Sequence, residues 1–169
     1  MATTGYSAIS NAISDLARIG ATTRPAMTAG FVVFGVAVPL YALALRRALP
    51  GPAWIAAVVC GVATLGVAAV PLGRGQDGLH GLCASIGYAA IALTPALAIG
   101  PLRRGGRPRA ATASLVIAAM AALCLVATVA GPAHGFFQRA GLTLGDAWIV
   151  VTAVVILRGT PFLLRQVVD

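Results

Sequence analysis

The chain has 169 residues, 59% of them hydrophobic, and its twelve basic and four acidic side chains give a net charge of +8. So few charges do not cover a water-soluble domain of this length, and a mean hydropathy of +0.94 accompanies apolar runs near the roughly twenty residues a helix needs to cross hydrocarbon. Every basic residue is Arg, in short clusters beside apolar runs, with no groove of interleaved aromatics, which argues against nucleic acid as a partner.

The reading is therefore an all-α, polytopic membrane helical bundle, with about five transmembrane helices and an amino-terminal amphipathic helix. Residues 1–24 form the amphipathic segment. Within it Tyr6, Ile9, Ile13 and Leu16 recur at helical spacing, opposite Ser7, Asn11, Ser14 and Arg18. Asp15 and Arg18 stand at the i,i+3 spacing of a helical ion pair.

Residues 25–169 hold the spans, expected over residues 25–45, 53–72, 79–102, 110–131 and 144–157. Pro25 suits the first turn of the first span, and Arg46 and Arg47 close it. A polar, Gly-rich turn with Arg74, Gln76, Asp77 and His80 separates the second and third spans. The third ends at Arg103, Arg104, Arg107 and Arg109. A second polar return over residues 132–139 carries His134, Gln138 and Arg139, with Asp146 placed at the start of a short, tilted last span. The tail with Phe162, Leu163 and Leu164 is expected along the interface. Ala57 and Gly61 offer a notch for close helix packing, while Pro39 and Pro95 are expected to kink their helices.

Alternating the spans puts Arg46, Arg47, Arg103, Arg104, Arg107, Arg109, Arg158 and Arg165 on one side and Arg18, Arg24, Arg74 and Arg139 on the other. Basic residues accumulate in cytoplasmic loops, so the amino terminus and both His-bearing turns are expected outside the plasma membrane, with the carboxyl terminus in the cytoplasm.

The outer side gathers the scarce polar groups. His80, Asp77 and His134 are the candidates for acid/base work or metal ligation, and Arg74, Gln138, Arg139 and Ser14 for binding a ligand. No HExxH, CxxC or nucleophile-elbow motif accompanies them, and the sequence designates no cofactor. Cys60, Cys83 and Cys124 fall in apolar runs and read as small hydrophobes. The favoured function is an accessory role binding membrane lipid or a partner membrane protein at the extracytoplasmic face. The alternative is an enzyme acting on a lipid headgroup through His80, Asp77 and His134. A transporter is third, since no internal repeat and no charge inside a span is expected.

Three stretches carry a resemblance: residues 5–21 (GYSAISNAISDLARIGA), 79–81 (LHG) and 135–148 (GFFQRAGLTLGDAW), with the Gly-rich first span between them. In their order and spacing they resemble the bacterial integral membrane family called domain of unknown function 998, over nearly the whole chain. That family's ISELG-type segment corresponds to Ile13, Ser14, Asp15, Leu16 and Ala17, with Asp in place of Glu and Ala in place of Gly. The resemblance names no activity. It implies six spans, one of them before the Ser-rich segment, so either a further helix lies upstream of the assigned start or this is a five-span form whose extra helix is lost or supplied by a partner. It also implies an outward Ser-rich segment.

Overall fold

The computed structural model describes residues 5–159; the tail with Phe162, Leu163 and Leu164 lies outside the described residues. A 3-10 helix at Ile13–Ala17 precedes five α-helices: α1 (Arg24–Ala48), α2 (Ala53–Ala69), α3 (Asp77–Arg104), α4 (Pro108–Ala130) and α5 (His134–Leu157). Four of these, α1, α3, α4 and α5, are long and apolar enough to cross a membrane, whereas α2 is apolar but only 17 residues long. Side chains pointing away from the bundle are apolar too: Val33 and Leu123 are each 68% exposed. Such a surface suits lipid, which has no penalty for meeting it.

Local chemistry sets the helix ends. Pro opens α1 and α4, where a missing N–H costs nothing because the first-turn donors have no helical acceptor. Arg46 and Arg47 end α1, and Arg103 and Arg104 end α3, each pair opposite the negative pole of its helix. Pro39 and Pro95 both lie within continuous helices.

Each helix packs on the next, and α5 also reaches α3 and α1, closing the bundle. Glycines make the contacts close. A Cβ on Gly61 of α2 would fall 2.3 Å from Cδ of Pro39 and 3.0 Å from the Gly35 carbonyl. That carbonyl is the one Pro39 leaves without its helical donor, so the notch and the proline belong to one contact. On α5, a Cβ at Gly145 would meet Ile91 of α3 at 2.5 Å. Towards the Arg-rich end, one buried and one half-buried polar pair tie helices together. Trp148 Nε1 donates to Ser114 Oγ at 2.9 Å, and the Tyr41 and Thr152 hydroxyls share a hydrogen bond of 2.6 Å.

Two elements differ from the sequence expectation. Residues 5–19 are no continuous amphipathic helix but a strap of turns with one 3-10 helix. Its short polar side chains bond to nearby backbone and compete with helix: Asn11 Oδ1 accepts from Ser7 N at 2.9 Å, and Ser7 Oγ from Ile9 N at 3.3 Å. The expected stripes are therefore scrambled, with Ile9 61% exposed and Ser14 buried. The Asp15–Arg18 ion pair does form, at 2.9 Å. The second difference is α5, which begins at His134 rather than near residue 144. Residues 134–139 are its first turns, held in helix because Phe136, Gln138 and Arg139 have partners in the strap.

Candidate functional site

The strap lies across the start of α5 and is fastened there by polar contacts. Gly135 is buried, and a Cβ on it would fall 2.2 Å from the Asn11 carbonyl, so only glycine admits the strap this close. Phe136 N, one of the early donors α5 cannot satisfy itself, donates to the Ile9 carbonyl at 3.0 Å. Further along, Gln138 Oε1 accepts from Ile13 N at 2.7 Å. Arg139 gathers the rest. Its Nη1 lies 2.9 Å from the Ala8 and Asn11 carbonyls and 2.8 Å from that of Gly135, and Nη2 donates to the Tyr6 hydroxyl. The guanidinium also lies 5.8 Å from the Tyr6 ring centroid. The far end of the strap is tied to the α2–α3 turn, where Ile19 N donates to Leu72 O at 3.0 Å.

Under the strap, between α1, α2, α3 and α5, is a cavity of about 310 Å³. This lies at the lower end of the roughly 300–1,000 Å³ typical of small-molecule sites. Ile13 and Ser14 of the 3-10 helix roof it; Phe31, Phe34, Val67, Ile91 and Leu142 make most of its walls apolar. Gly30 lines it and is itself exposed, so the cavity reaches the outside of the bundle.

A few polar groups interrupt these walls: Ser14, Cys60, Thr64, Cys83, Tyr88 and Asp146. The Thr64 hydroxyl is spent on the Cys60 carbonyl at 2.9 Å. Asp146 is the exceptional one. Because α5 starts at His134, this carboxylate lies near mid-helix, about 18 Å along an axis rising about 1.5 Å per residue. The sequence pattern puts it at the start of the last span; the early start of α5 places it near mid-helix instead. Its Oδ1 is fully buried with no hydrogen-bond partner among the described residues. A buried, ionisable, unpartnered group in a membrane helix is costly, and such groups are usually functional.

The residues singled out by sequence divide into three groups. Gln138 and Arg139 are strap fasteners, and Ser14 is part of the cavity roof. Arg74 and Asp77 are exposed in the α2–α3 turn, where Asp77 Oδ1 accepts from Gly73 N at 2.8 Å. His80 is only 3% exposed, and its Nδ1 lies 2.6 Å from the carbonyl of Val70, the residue that ends α2. That ring satisfies a terminal carbonyl and braces the turn. His134 is the first residue of α5 and half-buried. His80, Asp77 and His134 share no hydrogen bond, and among the described residues no three His, Cys, Asp or Glu side chains are placed to hold a metal ion. Tyr88 is not among the residues the sequence pattern selects, and Asp146 is gathered there with the outer polar groups as an acid at a span start, as much a helix-end residue as a functional one. An isolated acid in an apolar stretch is the available signal, once the stretch is recognised as mid-helix.

The family model described as "Protein of unknown function (DUF998)" matches residues 1–155. No curated protein and no solved structure matches the chain.

Proposed function

The chain belongs to the DUF998 family of bacterial integral membrane proteins, and we propose that this multi-pass member is a non-catalytic binding protein holding an amphiphile in the cavity beneath its strap. The observation that carries the reading is the cavity itself. Its apolar walls surround one unpartnered carboxylate, and a polar-clasped segment roofs it. Binding sites for small molecules are built this way, with an apolar enclosure and a few polar groups that fix orientation. The clasp supplies a cover whose contacts are hydrogen bonds, which open more readily than packed apolar surface.

In this reading all five helices cross the membrane. The 17 residues of α2 span about 26 Å at about 1.5 Å each, and α2 packs between α1 and α3. The strap end faces outward, because Arg46, Arg47, Arg103, Arg104 and Arg107 cluster at the opposite end. Gln76 is exposed in the α2–α3 turn on the strap side. Gln76→Cys is expected to react with a membrane-impermeant maleimide on intact cells; reaction only after lysis would reverse the orientation.

The binding reading is tested with a photoactivatable alkyl amphiphile added to the purified protein in nanodiscs. Adducts are expected on Phe34, Tyr88 and Leu142, and excess unlabelled dodecanol should suppress them. Adducts confined to lipid-facing positions such as Val33 and Leu123, with no competition, would contradict the reading.

A further inference from the structure

The cavity's polar groups and its aromatic walls together indicate what sort of amphiphile fits. Asp146 lines the cavity as a half-buried carboxylate whose Oδ1 is sealed off without a partner, and among the described residues no Arg or His lines the cavity to neutralise it. Phe31, Phe34 and Tyr88 line the same space. A carboxylate in an apolar surrounding needs a counter-charge or a hydrogen-bond donor, and aromatic faces attract cations through their quadrupoles.

A metal ion does not fit this set. Hard cations take about six to eight oxygen ligands, and no trio of ligating side chains is assembled here among the described residues. A large anionic headgroup would be repelled by Asp146, and a plain hydrocarbon would leave the carboxylate with neither donor nor counter-charge. A neutral donor supplies a hydrogen bond alone, whereas a cation that carries its own apolar body supplies the counter-charge as well and suits the aromatic walls.

We infer that the cavity takes a hydrophobic organic cation, an apolar body bearing a protonated amine. The ammonium donates to Asp146, and the body lies among Phe31, Phe34 and Ile91. This deepens the binding reading above and rests on it. The Tyr88 hydroxyl makes no hydrogen bond to a described residue and lines the same cavity, so it offers a second acceptor for an N–H group. The aromatic rings serve the cation whether or not a donor is aimed at them, which makes the site tolerant of amine type.

Three probes with the same chain, dodecylamine, dodecanol and dodecanoate, separate this inference from the reading beneath it. Each is titrated against the protein in nanodiscs as a competitor of the photoactivatable alkyl probe. Dodecylammonium is expected to compete at least about tenfold more tightly than dodecanol, the equivalent of about 1.4 kcal/mol and within what one charged hydrogen bond contributes. Asp146→Asn is near-isosteric and should bring amine and alcohol to within about twofold, a difference of only about 0.4 kcal/mol. The wild-type comparison needs no variant and stands even if Asp146→Asn is poorly made. Equal competition by amine and alcohol, or tightest competition by dodecanoate, would overturn the cation inference and leave the cavity reading intact. Absence of competition by all three would instead remove the cavity reading.

Discussion

Arg139→Ala should release the strap while the helices stay folded. This guanidinium reaches three carbonyls and a tyrosine hydroxyl, and two of those carbonyls, at Ala8 and Asn11, belong to the strap. Hydrogen bonds to a charged group contribute about 1.5–3 kcal/mol, so losing the cluster should favour strap opening by at least about 2 kcal/mol, roughly thirtyfold in population. The helices do not depend on it, because the apolar core they share, with Val38, Ala57, Ile91 and Ala98, does not include Arg139. Hydrogen exchange is the measurement. Amides of the strap, including Asn11 and Ile13, should exchange faster by about that factor while those of α2 and α4 keep their protection. Arg139→Lys should restore only part, since an ammonium lacks the planar fork that serves several carbonyls together. Unchanged exchange in the strap would show that packing of Ser14 and Ala17, not the polar clasp, holds the cover down.

The second large effect is expected from Gly30→Leu. Gly30 lines the cavity, and a Cβ built there meets nothing within 4 Å. A leucine therefore enters space rather than atoms, and replacing a mid-helix glycine gains roughly 0.5–1 kcal/mol in helix propensity. Thermal stability should be equal or slightly higher, whereas capture of the photoactivatable alkyl probe should fall at least about tenfold, a loss of about 1.4 kcal/mol in affinity. Few substitutions separate stability from binding so cleanly, because most cavity-facing positions also pack against neighbours. Gly135→Val is a useful contrast. Its Cβ would meet the Asn11 carbonyl, so it should disturb the strap and stability together.

Much of the architecture is legible in the amino-acid sequence, for physical reasons. Hydrocarbon thickness sets span length, and the Arg clusters mark the ends of α1 and α3 within a few residues. The Gly61 notch is readable because small residues have few reasons to recur inside spans other than close packing. The start of α5 is not. His134, Gln138 and Arg139 look like loop residues, and the helix holds there because strap carbonyls and amides some 125 to 131 positions away complete the hydrogen bonding of Gln138 and Arg139. Placing that one helix start too late moves Asp146 from mid-helix to a helix end, where it reads as much like a helix-end acid as a functional group. The strap escapes the helical pattern for the opposite reason: Ser7 and Asn11 act locally, and helical periodicity alone does not weigh that competition. His80 stands out as a rare titratable residue; its Nδ1 is committed to the Val70 carbonyl, while its Nε2 is buried without a partner among the described residues.

Native mass spectrometry of the protein extracted gently from its own membranes tests the central claim most directly, with Gly30→Leu prepared in parallel. The account predicts that the wild-type protein retains a stoichiometric small molecule, apolar in body and bearing an amine, that survives removal of bulk lipid and is absent from the equally folded Gly30→Leu variant. The same complement of bound molecules on both proteins, or none on the wild type under conditions that preserve its fold, would contradict it.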